Sequence, residues 1–184
     1  MNIPNFLTLL RLLFPIVISF LFLIDLDYSK ERFIVLTLFI LFSVTDFFDG
    51  YIARRLNQES VFGKIFDPVS DKVLSSSALI YILTFQNAVL IPALLIITRE
   101  FIVSGNREFM LVTKGKNIDV IFISKLKTAF QFISISLFLA HDLLLKYFDM
   151  THFAISCLWI TTVLTIYTGF KYSYKVYFSH KKRT

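Results

Sequence analysis

The chain has 184 residues, 56% of them hydrophobic, with 22 phenylalanines and a net charge of +6; mean hydropathy is +0.70. That length excludes more than one ordinary domain, and that apolar content exceeds what a water-soluble core can hide, so residues 1–184 read as a single membrane domain. Cys157 is the only cysteine, which excludes an intrachain disulfide and a thiolate metal site. Long apolar runs in lipid must satisfy their own backbone, so the expected class is all-α, a polytopic bundle of six transmembrane helices.

In chain order, the N-terminus does not read as a signal peptide, because its charge, Arg11, lies inside the apolar run and no small-residue cleavage site follows. Pro4–Phe6 read as an interfacial entry, with a first span over about Thr8–Ile24. A polar loop at Asp25–Arg32 precedes the second span, Phe33–Ala53. Gln58–Phe62 turn the chain into a third span, Phe66–Phe85, and the Gln86-Asn87 turn leads to a fourth, Val89–Thr113. Leu111–Asp119 read as a loop, Phe122–Leu139 as the fifth span, His141–Met150 as another loop and Phe153–Phe170 as the sixth. The basic, aromatic tail KYSYKVYFSHKKRT suits an interfacial helix end on an anionic leaflet.

With six spans, all of the 19 lysines and arginines except Lys30, Arg32 and Lys146 fall on the side of the termini. The positive-inside rule then predicts that both termini are cytoplasmic. The positive charge thus argues for sidedness in a membrane and against a nucleic-acid partner. In the second, fourth and fifth spans the outer half is apolar, and the polar groups gather in the cytoplasmic half. Charges at such depth must face a bundle interior or a wet cavity, which predicts a polar pocket one leaflet deep.

The stretch DFFDGYIARRLNQESVFGKIFDPVSD, Asp46 to Asp71, is the densest of these polar groups. On a helix Asp46, Asp49, Gly50 and Ala53 share one face, and Asp67 and Asp71 stand one turn apart on the next helix. Four aspartates brought together without cations would repel one another. Divalent metal resolves this, and oxygen ligands without His or Cys favour Mg²⁺ or Mn²⁺. Two such ions could share the acids and clamp a pyrophosphate. Gly50 and Gly63 remove side chains where a substrate must approach, and Arg54 can hold phosphate oxygens with paired donors. These parts describe phosphoryl transfer on a diphosphate substrate.

The pattern Asp46-x2-Asp49-Gly50-x2-Ala53-Arg54-x8-Gly63-x3-Asp67-x3-Asp71 resembles the signature of the CDP-alcohol phosphatidyltransferases, without departure at any of its eight positions. The resemblance implies a six-helix membrane enzyme, a homodimer, transferring a phosphatidyl group from CDP-diacylglycerol to an alcohol and releasing CMP. It implies that Asp46, Asp49 and Asp67 hold one metal and Asp46, Asp67 and Asp71 the second, with Asp71 also the base toward the attacking hydroxyl. Gly50, Arg54 and Ser60 would hold the CDP portion, with Ala53 and Gly63 completing the motif's substrate face.

Ile3-Pro4-Asn5-x2-Thr8-x2-Arg11 is similar to the N-terminus of the glycerol-phosphate branch of that family and implies that Asn5 and Thr8 line the nucleotide pocket; Asn5 as a simple helix cap is the alternative. The segments Arg99–Arg107 and Lys125–Gln131 resemble the same branch. Physically, Arg99, Arg107, Lys125 and Lys127 suit an acceptor that carries its own phosphate dianion, and sn-glycerol 3-phosphate is favoured. The plainer reading of those four is a snorkelling cytoplasmic rim. Rival functions are transfer to phosphatidylglycerol, inositol phosphate or serine, and, more remotely, divalent-cation transport. The expected location is a bacterial inner membrane, with the site facing the cytoplasm.

Overall fold

The computed structural model describes residues 3–24, 26–55, 61–114, 122–140 and 150–181. Among them every regular element is a helix: α1 (Ile3–Leu12), α2 (Phe14–Leu23), α3 (Tyr28–Arg55), α4 (Val61–Leu83), a 3₁₀ turn at Asn87–Val89, α5 (Leu90–Lys114), α6 (Phe122–Leu139) and α7 (Thr151–Lys181). The fifth expected span coincides with α6. The helix expected over the basic tail is continuous with the sixth span in α7.

Two expectations need correction. The first span is not one helix but two, broken at Leu13, because Pro15 has no N–H to return to the Arg11 carbonyl. The chain tightens there: the Leu13 N–H donates to both Leu9 O (3.3 Å) and Leu10 O (3.1 Å). The loop expected over Asp25–Arg32 is likewise already helical from Tyr28, and Glu31 and Arg32 are buried. The Arg32 guanidinium sits in the corner of two perpendicular rings, 4.2 Å from the Tyr28 ring centre and 3.6 Å from that of Phe85. Cation–π contact with both rings compensates part of its desolvation and pins the start of α3 to the end of α4.

Side-chain pairs fix the helix directions. Thr8 meets Asp67 and Arg11 meets Asp71, so α1 runs parallel to α4. Arg99 meets Thr168 and Asn106 meets Ser173, so α5 runs parallel to α7. Tyr28 of α3 packs on Phe85 just beyond α4, so those two helices are antiparallel. The result is an alternating bundle with an apolar and a polar end. The apolar end is a continuous core of Phe14, Val35, Phe39, Leu79, Ile96, Ile135, Leu158 and their neighbours. Phe39 is its hub, with ring centres 6.3 Å from Phe14 and 5.5 Å from Phe132.

The outer surface is apolar as well; Leu23 is 81% exposed and Phe170 74%. Such a surface is stable against lipid and not against water. Among the described residues Asn5–Leu23, Asn87–Thr113 and Thr151–Tyr174 are each long and apolar enough to cross a membrane. The aspartates of the Asp46–Asp71 stretch lie on α3 and α4, and the buried Lys127 on α6.

Phe39→Ala should lower the midpoint of thermal unfolding in detergent. Because detergent or lipid replaces water in the alternative state, the cost should fall below the ~3–5 kcal/mol typical of such a truncation in a soluble core. Phe20→Ala on the exposed face should leave the midpoint unchanged. Equal effects would contradict this account of the core.

Candidate active site

The acidic half of the site is built by α1, α3 and α4, which pack on one another. Asp46, Asp49, Gly50, Ala53 and Arg54 all lie on the last turns of α3, whose backbone is helical there; their side chains lie outside the described residues, as does Ser60. Gly63 is buried in the first turn of α4 and Asp67 and Asp71 follow at one-turn intervals. Pro68 stands between the two acids.

Two residues of α1 reach those acids. The Thr8 hydroxyl donates to Asp67 Oδ1 at 2.6 Å, and Arg11 Nη1 donates to Asp71 Oδ1 at 2.9 Å. Each pair is one turn from the other, as two parallel helices require. Thr8 and Arg11 are fully buried, whereas the Asp71 side chain keeps 43% of its surface. A buried guanidinium is tolerable only against a paired charge, so Arg11 holds Asp71 as a carboxylate. The sequence showed Arg11 as a charge inside an apolar run and as the end of the N-terminal motif, without its partner. Asn5 is half-buried in the first turn of α1, not ahead of it where a helix cap stands.

Across Asp71 lies a cavity of about 250 Å³ between α4, α5 and α6. Asp71, Lys72, Arg99, Glu100, Ser104, Arg107, Lys127 and Gln131 line it. Three of the four expected acceptor cations are therefore brought together beside Asp71. The side chain of the fourth, Lys125, lies outside the described residues. Lys72 takes a place that its position next to Asp71 could have suggested. Arg99 and Lys127 are 8% and 4% exposed, which removes the rim reading for both.

Glu100 organises the cations. Its Oε1 accepts from the Lys127 ammonium and from Arg99 Nη1 at 3.1 Å. The Lys72 ammonium donates to the Ser104 hydroxyl, which passes its own proton to the Glu100 carbonyl at 2.8 Å. The second Arg99 terminal nitrogen donates to Thr168 at 2.7 Å, and the Arg107 guanidinium stands 5.4 Å from the Tyr172 ring centre. Among the described residues Lys72, Arg99, Arg107 and Lys127 outnumber Glu100, and Asp71 is already paired with Arg11, so the cavity keeps an excess of positive charge. Among the described residues the Nε groups of Arg99 and Arg107 have no hydrogen-bond acceptor. Buried donors without acceptors are costly, and the chemistry of the cavity suits an anion.

The donor set also fits a hard cation. The four aspartates offer oxygen only, two of them on α4 with one Oδ each oriented by α1, and oxygen ligation of this kind suits Mg²⁺ or Mn²⁺.

The sequence profile of the CDP-alcohol phosphatidyltransferase family matches residues 1–167. A Rickettsia typhi protein named CDP-diacylglycerol–glycerol-3-phosphate 3-phosphatidyltransferase is 42% identical over 181 residues, covering 96% of this chain and 99% of the relative. Proteins of the same name from Haemophilus influenzae and Bacillus subtilis are 35% and 34% identical, each covering 93% of this chain and 91% and 93% of their own. With the acids in the family's order on two adjoining helices and a surface made for lipid, the chain belongs to the CDP-alcohol phosphatidyltransferase family as a multi-pass membrane enzyme.

Proposed function

We propose that this enzyme transfers the phosphatidyl group of CDP-diacylglycerol to sn-glycerol 3-phosphate, giving phosphatidylglycerophosphate and CMP. The observation that carries the reading is the position of Asp71, whose carboxylate is both part of the acidic set and part of the wall of the cationic cavity. A phosphorylated acceptor seated among Lys72, Arg99, Arg107 and Lys127 would present its hydroxyl to Asp71. Asp71 takes that proton, the freed oxygen attacks the β-phosphorus of the donor, and the bond to the CMP oxygen breaks. No covalent enzyme intermediate is needed, and positioning and electrostatics supply most of the rate.

Asp46, Asp49, Asp67 and Asp71 would hold two Mg²⁺, with Mn²⁺ as a substitute. Bound there, the ions would neutralise the pyrophosphate and stabilise the leaving CMP. Gly50, Ala53, Arg54, Ser60 and Gly63, with Asn5 and Thr8, would seat the CDP portion. Because the Thr8 hydroxyl is committed to Asp67, its contribution in the reading is to aim that carboxylate.

The size of the cavity favours a small acceptor. At about 250 Å³ it lies below the roughly 300–1,000 Å³ that drug-sized ligands occupy, which speaks against phosphatidylglycerol. Its excess of positive charge speaks against serine, and against carriage of a divalent cation. Within the proposal the protein sits in a bacterial inner membrane as a homodimer, with termini and active site on the cytoplasmic side, as the distribution of Lys and Arg supports.

Membranes containing the enzyme, CDP-diacylglycerol, Mg²⁺ and labelled glycerol 3-phosphate should yield labelled lipid and CMP in equal amounts. Chelation should stop the reaction and added Mg²⁺ restore it. Absence of lipid product at every Mg²⁺ and Mn²⁺ concentration would rule the function out. Asp71→Asn should lower kcat by roughly 10²–10⁴-fold, the range for loss of a general base, and raise the Mg²⁺ concentration needed, since Asp71 is also a proposed ligand. Lys72→Met and Arg107→Ala should each raise the acceptor KM about ten-fold while sparing the donor KM. Unchanged acceptor KM values would remove the phosphate site from the proposal.

A further inference from the structure

The last helix reaches the cationic cavity only through other side chains, and its contacts are specific. On α7, residues 168, 169, 172, 173 and 176 share one face, and that face is turned to α5. Val103 and Met110 of α5 pack with Tyr172 and Val176 in a small buried cluster. Above and within it Thr168 meets Arg99, Asn106 Nδ2 donates to the Ser173 hydroxyl at 2.8 Å, and Tyr172 lies against Arg107.

Arg99 is the most tightly seated of these. Thr168 is fully buried and sends its hydroxyl proton to Leu164 O at 2.8 Å, so toward Arg99 its oxygen can only accept. Glu100 takes the other terminal nitrogen. Gly169 lets the arginine stem lie on the helix backbone. A Cβ there would stand 2.8 Å from Arg99 Cγ and 3.0 Å from its Nε. A long, flexible side chain is thus fixed at both terminal nitrogens and along its stem.

We infer that Thr168, Gly169 and Tyr172 are positioning residues of the acceptor site: they aim the guanidinium groups of Arg99 and Arg107 and so set how tightly the acceptor's phosphate is held. The inference rests on the reading of the cavity as the acceptor site. Among the described contacts the three meet Arg99 and Arg107 and not Asp67 or Asp71, so the donor and the proton transfer should not depend on them. An alanine at 169 has the higher helix propensity, so a defect in Gly169→Ala cannot come from a weakened helix.

The test uses the full-length enzyme in detergent micelles with CDP-diacylglycerol, following CMP release as glycerol 3-phosphate is varied. Thr168→Val and Gly169→Ala should each raise the acceptor KM about ten-fold, the effect of losing or misaiming one hydrogen bond to a charged group. Both kcat at saturating acceptor and the donor KM should stay within about two-fold. Thr168→Ser should restore the acceptor KM, and Tyr172→Leu should raise it a few-fold through Arg107. Arg99→Ala, run beside them, separates two kinds of failure. If it raises the acceptor KM while Thr168→Val and Gly169→Ala leave it unchanged, the role of α7 is refuted and the cavity reading survives. Should Arg99→Ala also leave it unchanged, the cavity reading falls and the inference with it. A parallel drop in kcat, donor affinity and unfolding midpoint would show α7 to be merely structural and overturn the inference.

Discussion

The ion pair between Arg11 and Asp71 is the constraint from which the rest of the site follows. A guanidinium with no exposed surface, inside a chain that otherwise shows apolar groups to lipid, requires an anion at fixed geometry. That requirement brings α1 onto α4, and the break at Leu13 leaves α1 as a separate short helix that can meet it. With Thr8 on Asp67 one turn away, two of the four acids are oriented from outside their own helix. Asp71 is held on one side and exposed on the other, toward the cavity where a hydroxyl can approach.

The same economy explains the division of hydropathy among the helices. Among the described residues three segments are apolar enough to span a membrane by composition alone. In α3, α4 and α6 the polar residues are concentrated at one end of the bundle. What lets those helices stay in the bundle is the aromatic and aliphatic core at the opposite end, centred on Phe39. The polar end is stabilised differently, by pairing every described charge in the cavity with a carboxylate, hydroxyl or aromatic face. Function and membrane stability therefore occupy different depths of the same helices.

How much of this the sequence revealed depended on whether the signal was periodic. Helical spacing alone places Asp67 and Asp71 one turn apart on one helix, as α4 has them, and cations deep in an apolar chain marked Arg99, Arg107 and Lys127, which line one cavity. Arg11, Lys72 and Glu100 were not legible in their roles, since each is defined by a neighbour 27 to 60 residues away in the chain. Thr168 and Gly169 look like ordinary packing residues, and only the 2.7 Å contact and the missing Cβ distinguish them. The α1–α2 break was foreshadowed by Pro15, but hydropathy, summed over a window, is blind to a single missing N–H. Arg32 was misread for a related reason: a loop and a helix start have the same polarity, and only the flanking rings of Tyr28 and Phe85 decide between them.

On the proposed function, the two halves of the site would keep a lipid donor and a soluble acceptor apart until reaction. Acids attract metal and would repel a bare phosphate; the cationic cavity does the reverse. If the cavity held only lysines and arginines, it would bind the donor's own phosphates as readily as the acceptor's. Glu100, set among Arg99, Lys127 and Lys72, lowers the excess of positive charge and spaces Arg99 and Lys127 by hydrogen bonds. A small anion then suits the cavity, while a crowded polyanion gains less. Asp71 is the one described carboxylate common to both halves, so a substrate placed in each is aligned across a single side chain. Selectivity for the acceptor and competence for transfer thus meet at the residue that Arg11 holds in place.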